Sequence, residues 1–330
     1  MPEQSRQSVT LKDVQDAAAR LASVAVRTPL LRSPELDDIA GGSVYLKPEC
    51  LQLTGSFKIR GAYNLMCRLT PEEASRGVVA WSSGNHAQGV AAAGSLLGIR
   101  TAIVMPQDAP RAKLENTRRL GGETILYDRY TGDREAIARA LATERGAGLV
   151  PSYDHADIIA GQGTTGLEIM QQCAAADIRP NQVLIACSGG GLTAGSAVAI
   201  RGLSPSTMVH SVEPEDFADT AQSLIAGTRR SNASGGRSIC DALQAATPGE
   251  MTFDINRRLL GDGLSVSDDE VRDAMRFAFR HLKLVVEPGG AVTLAAILAG
   301  KAATASRVTV LVLSGGNVDA ELFAEIIRGG

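Results

Sequence analysis

The chain has 330 residues, of which 44% are apolar and 21% charged, with a net charge of −3. That length exceeds one small core and fits one large or two medium domains of an ordinary globular enzyme. The slightly acidic balance gives no reason to expect nucleic acid, and no apolar run reaches the roughly eighteen residues that would span a membrane. The opening Met-Pro-Glu-Gln-Ser-Arg lacks the layout of a signal peptide. Five scattered cysteines (50, 67, 173, 187 and 240) form no C-x-x-C pair. Reduced thiols and a cytoplasmic location are therefore expected.

In chain order, apolar spacing predicts a helix over 11–23, stopped by Thr28-Pro29-Leu30, and then a strand over 44–47. Strands are expected over 78–81, 101–105 and 124–127, with helices over 85–97, 109–120 and 134–144. The pattern resumes with a strand over 182–187, a helix over 192–201 and a strand over 207–212. Helices over 268–281 and 291–298, a strand over 307–313 and a helix over 319–327 complete it. This alternation indicates parallel βαβ units and an α/β fold. Residues 227–247, rich in Ser, Gly, Arg and Asn, are expected to contain loop.

Four short stretches carry the chemistry. Gly-Ser-Phe-Lys-Ile-Arg-Gly-Ala at 55–62 sets Lys58 in a tight turn that leads into a helix. A lysine held between Gly, Ser and Phe can be desolvated, which makes it a nucleophilic amine. Ser82-Ser83-Gly84-Asn85-His86, Ser188-Gly189-Gly190-Gly191-Leu192 and Ser314-Gly315-Gly316-Asn317 each follow a short apolar strand. Ligands of open α/β sheets bind at such strand ends. Consecutive glycines let backbone amides converge on an anion, aided by the next helix's dipole. Three such loops and one activated amine describe a site for a phosphate-bearing aldehyde.

With Ile-Ala-Gly-Gln-Gly-Thr-Thr-Gly-Leu-Glu-Ile at 159–169 and matches at 286–290 and 313–319, these stretches run in one order through nearly the whole chain. In that order the chain resembles the serine/threonine dehydratase and serine racemase group of fold-type II pyridoxal-phosphate enzymes. The resemblance implies two parallel-sheet domains of the tryptophan synthase β-like architecture. Residues 1–49 plus 146–330 would form the large cofactor-binding domain and 50–145 a small mobile one. It also implies a homodimer and a small amino-acid substrate.

On the same resemblance, Lys58 carries the cofactor and then serves as the base at the substrate Cα, and Phe57 packs beside the ring. Ser188, Gly189, Gly190, Gly191 and Leu192 cradle the phosphate. Ser314 meets the pyridine nitrogen, and Asn85 the ring hydroxyl. A neutral hydroxyl partner at that nitrogen favours β-elimination over transamination. By residue type alone Phe57 could equally be a core aromatic and Ser314 a helix cap. Ser82, Ser83, Asn85 and His86 offer donors to a substrate carboxylate. Ser83 stands where catabolic threonine dehydratases commonly have Ala and racemases have Ser, so it is either a second acid/base or a carboxylate donor.

The acidic run at 213–219 resembles the divalent-cation site of the racemase branch, with Glu213 and Asp219 as carboxylates and the Phe217 carbonyl as a third ligand. Oxygen ligands alone suit Mg²⁺, Mn²⁺ or Ca²⁺, and a solvated acidic loop is the other reading. Arg134 matches an arginine near the substrate, where a guanidinium could pair with a second carboxylate; otherwise it is a surface helix residue. Leu53 replaces the branch's usual lysine, which counts against nucleotide activation. The end at Gly330 leaves no room for an amino-acid-sensing domain. The expected activity is dehydration of threonine, serine or 3-hydroxyaspartate to a 2-oxo acid and ammonium, with racemisation as the alternative. A cofactor-binding module without turnover and a nucleotide-binding α/β protein are the readings from other classes.

Overall fold

The computed structural model describes residues 8–329 except Ser83, Pro110 and Arg129, and of Ala112 it describes only the backbone. Two sheets organise the chain. The larger contains β1 (Leu31–Arg32), β2 (Ser43–Pro48), β7 (Gln182–Ala186), β8 (Met208–Pro214), β9 (Gly263–Val266) and β10 (Val308–Leu313), in the order β1-β2-β10-β7-β8-β9. Only the β1–β2 pair is antiparallel. The smaller sheet is wholly parallel, with β5 (Glu123–Tyr127), β4 (Thr101–Pro106), β3 (Val78–Trp81) and β6 (Gly148–Leu149) in that spatial order.

Both faces of each sheet are covered, which explains why the strands read as unbroken apolar runs. Along β10, Leu311 and Leu313 enter one core with Leu46, Leu184 and Val212. The intervening Val310 and Val312 enter another with Val183 and Ile185. In the smaller sheet, Val78, Ala80, Ile103 and Met105 face one side, while Val79, Ala102 and Val104 face the other.

The expected strands and helices all occur, and the helix Asn85–Leu97 has the expected bounds. The helix expected over 268–281 stops at Phe277 and widens into a single π turn, Ala278–Leu282, before Lys283 adopts a left-handed φ of 58°. Elements that went unassigned include the helix Ala156–Ala175, β9 and the helix Glu250–Leu259. The first holds the glycine-rich motif at 159–169, and its glycines serve close packing. A Cβ on Gly161 would stand 2.4 Å from the Arg60 carbonyl oxygen, and one on Gly163 would stand 2.7 Å from the Gly195 carbonyl carbon.

A buried ion cluster anchors the helix Lys58–Met66 beneath this motif. Arg60 forks onto Glu49 (2.7 and 2.9 Å) and onto Glu168 (2.7 and 3.0 Å). Lys47 donates to Glu168 at 2.7 Å, to Gln172 at 2.9 Å and to the Thr28 carbonyl at 2.7 Å. Arg60, Lys47 and Glu49 have no exposed surface, and each charge meets an opposite one, the condition under which buried ions are tolerated.

Candidate active site

Lys58 opens its helix at a point where two distant loops are stitched together. Ser56 and Gly315 form an isolated antiparallel bridge. The Phe57 amide donates to the Ser314 carbonyl at 3.3 Å, and the Gly316 amide to the Gly55 carbonyl at 2.9 Å. The tight approach relies on Gly55 at φ 72° beside Thr54 at φ 67°. The Lys58 amine lies 5.1 Å from the Phe57 ring centre and donates to the Ser152 carbonyl at 3.2 Å. Desolvation pushes its pKa down to about 8, against the opposing pull of Glu287. Such an amine is available as a nucleophile near neutral pH.

The loop after β3 enters the helix Asn85–Leu97. The Ser82 hydroxyl accepts from the Gly84 amide at 3.2 Å, and Ser83 lies outside the described residues. Asn85 is clamped on both sides: its Nδ2 donates to Glu287 at 2.5 Å, and its Oδ1 accepts from Asn317 Nδ2 at 2.7 Å. His86 is buried, with Nε2 2.9 Å from the Val150 carbonyl and Nδ1 without a partner. Burial first, then the Lys58 charge, pushes its pKa down to about 3. The ring is therefore neutral, and because a carbonyl only accepts, Nε2 carries the proton.

The loop after β7 enters the helix Gly191–Leu203 through Gly190 at φ 93°. Side chains are excluded along it. A Cβ on Gly189 would meet the Tyr153 ring at 2.4 Å, and one on Gly191 would meet Gln162 Oε1 at 2.5 Å. The bare amides at a helix N-terminus form an anion cradle. Ser188 Oγ accepts from the Ala245 amide at 3.1 Å, which leaves its hydroxyl hydrogen free to donate. The Leu192 side chain is buried in the core, so only its backbone can serve the cradle.

Ser314 is buried at the end of β10, with Oγ 3.5 Å from the Gly289 carbonyl. It caps no helix, because the helix Ala320–Arg328 begins later and Asp319 caps it. An attachment amine, an anion cradle, a buried hydroxyl and a fixed amide suit a phosphate-bearing aldehyde with a ring nitrogen and hydroxyl. Sequence reasoning missed Glu287, Asn317 and Tyr153 as side chains of this site. For Glu287 the available signal was a lone acid between the apolar Leu284-Val285-Val286 and Pro288-Gly289-Gly290.

Elsewhere, Glu213 and Asp219 are both buried. Glu213 accepts from the Thr220 and Ala221 amides at 3.0 and 2.8 Å, and Asp219 accepts from Asn232 at 2.7 Å while its Oδ2 has no partner. Desolvation leads in pushing Glu213 up to about 8 and Asp219 up to about 6. Phe217 ends the short turn Glu215–Phe217 between them. No group of three His, Cys, Asp or Glu side chains among the described residues could hold a metal, so an ion here would need carbonyl and water ligands as well. Arg134 is exposed on the first turn of the helix Arg134–Arg145, and its charge reaches the Tyr153 phenol.

Residues 22–315 match the family described as pyridoxal-phosphate dependent enzymes. Over 317 residues the chain is 43% identical to an L-threo-3-hydroxyaspartate ammonia-lyase from Pseudomonas sp, covering 96% of this chain and 98% of that protein. It is 42% identical to the enzyme of the same name from Saccharomyces cerevisiae, with 97% of each covered. The structure of maize serine racemase superposes with a TM-score of 0.91 at 36% identity, covering 97% of each chain. The fold, the desolvated Lys58 amine beside the Ser314 loop and these similarities agree: the chain belongs to the pyridoxal-phosphate dependent enzymes.

Proposed function

We propose that this pyridoxal-phosphate-dependent dehydratase takes 3-hydroxyaspartate in preference to threonine and serine and releases a 2-oxo acid and ammonium. The observation that carries the reading is Lys58, an amine with its pKa pushed down to about 8 on a turn that pairs with the Ser314 loop. The Pseudomonas and yeast relatives support the substrate class.

Lys58 would hold the cofactor, and the amides of Gly189, Gly190, Gly191 and Leu192 with the Ser188 hydroxyl would hold its phosphate. Phe57 would flank the ring, Asn85 would meet its hydroxyl and Ser314 its nitrogen. When bound, the cofactor supplies an electron sink for the charge released at the substrate Cα. The free Lys58 amine would take the Cα proton. The amide ends of the helix Asn85–Leu97, with Ser82 and Ser83, receive the α-carboxylate. A neutral His86 adds no competing charge, and Arg134 pairs with the second carboxylate of the substrate.

A substrate panel scored for 2-oxo acid tests this reading. Lys58→Ala should be colourless and nearly inactive. Arg134→Leu should cut kcat/KM for 3-hydroxyaspartate by roughly 30- to 1000-fold, provided that closure of the mobile unit takes the exposed guanidinium out of water, while serine and threonine change little. Equal losses on all substrates would make Arg134 a domain-supporting residue and remove the argument for a dicarboxylate.

A divalent cation at Glu213, Asp219 and the Phe217 carbonyl completes the proposal, supported by two buried carboxylates side by side and the unpartnered Asp219 Oδ2. Chelation should lower the melting temperature, and Mg²⁺ or Mn²⁺ should restore it, because an ion that binds only the native state stabilises by mass action. No response to either treatment would leave a plain acidic turn.

We further assign the chain to a cytoplasmic homodimer in which residues 50–145, together with β6 of the same sheet, move against the rest; light scattering and substrate-dependent hydrogen exchange test the two points. The likeness to maize serine racemase supports racemisation as a side activity through Ser83. Ser83→Ala should then suppress D-serine formation more than elimination.

A further inference from the structure

The end of the smaller sheet remote from Lys58 holds a cavity that the reaction does not use. It occupies about 360 Å³ at the N-terminal edges of β3, β4 and β5, with Arg76, Arg100, Arg145 and Glu123 around Val79, Thr101 and Ala102. The three arginines come from three elements. Arg76 ends the helix Pro71–Arg76, Arg145 ends the helix Arg134–Arg145, and Arg100 immediately precedes β4.

Their partners differ in kind. Arg145 closes a two-pronged pair with Glu123 at 2.6 and 3.0 Å. Arg76 instead donates from Nε to the Gly146 carbonyl at 2.7 Å, and Arg100 donates to the Ser75 carbonyl at 2.9 Å. A backbone carbonyl orients a guanidinium without neutralising it. Among the described residues, neither Arg76 nor Arg100 meets a carboxylate at ion-pair distance, and Glu123, which acts on Arg100 through space, is itself bound by Arg145. Arginines at helix ends serve the helix dipole, which accounts for Arg76 and Arg145 singly. It does not account for Arg100 joining them around an open volume.

We propose that this cavity binds a small phosphorylated molecule carrying at least two negative charges, with its phosphate on Arg76 and Arg100. Planar guanidinium forks suit phosphate oxygens in pairs, and the volume admits a small body beyond the phosphate. Bound there, the anion ties both helices to the start of β4. One of these helices carries Arg134 at its far end, so the ligand would bias the mobile unit without entering the catalytic cleft.

The test uses holoenzyme, in which the cofactor already fills the phosphate cradle, at fixed ionic strength and without added divalent metal. Calorimetric titration with inorganic phosphate, pyrophosphate and a nucleoside monophosphate should show saturable binding of at least one of them. Arg76→Gln/Arg100→Gln should weaken that binding at least tenfold and leave basal turnover intact. Glu123→Gln releases Arg145 and should tighten binding several-fold. A preference for the ester over free phosphate would identify an organic ligand, and the reverse would identify phosphate itself; either supports the site. No saturable binding, equal affinity in the wild type and the double arginine variant, or weaker binding in Glu123→Gln would each overturn it.

Discussion

Glu287 shows how much the site depends on single groups. Burial raises its pKa from 4.5 to about 7, with Asp241 adding to the rise and Lys113, Asn85 and Lys58 opposing it. Between those values the native state holds a proton that the unfolded chain has lost, so stability falls as pH climbs through that window. Glu287→Gln keeps an acceptor for Asn85 Nδ2 and removes the titration. In cofactor-free protein, the melting-temperature difference between variant and wild type should shift in favour of the variant from pH 4.5 to 8. A difference that stays flat across that range would show that Glu287 does not titrate there. Lys58, Asn85, Ser188 and Ser314 could be singled out as candidates because turn chemistry and the order of motifs mark them. Glu287 and Asn317 lay inside recognised stretches without an assigned role, and Tyr153 had none either, because their contacts at the site are tertiary and neighbouring residues do not encode them.

Among elements, the helix Ala156–Ala175 shows why a motif can be recognised without its structure being read. Glycine is a poor helix former in isolation, so Gly161, Gly163 and Gly166 argue locally against the helix they occupy. The compensation is non-local. Gly163 and Gly195 bring two helices into backbone contact, and a Cβ on Gly195 would stand 2.1 Å from the Ile159 carbonyl oxygen. Helix propensity therefore predicts that Gly163→Ala should stabilise, whereas packing predicts the opposite. Packing should win: urea unfolding should show a loss of about 1–3 kcal/mol, the usual cost of overfilling a tight core. A gain in stability would mean that the two helices separate freely. By contrast, Asn85–Leu97 was read with its true bounds because Gly98 at φ 68° ends it locally.

For the whole molecule, strand–helix alternation made the parallel α/β class legible, but the strand order was not. No local signal announces that β10 inserts between β2 and β7. That insertion sets the folding order. Long-range parallel pairing closes slowly, because loop entropy is lost before contacts repay it. During refolding from urea, cofactor absorbance should therefore develop in the slowest phase, together with activity and after far-UV helix signal. Cofactor capture in the earliest phase would contradict this order.

The Ser56–Gly315 bridge gives this order a meaning during synthesis. Domains fold as the chain emerges, yet the turn before Lys58 stays unbraced until a segment 259 residues later is free to pair with it. A half-made chain thus carries its reactive amine without the frame that lowers its pKa or cradles a phosphate. Coenzyme uptake should then report completion: chains cut short before Gly315 should stay colourless.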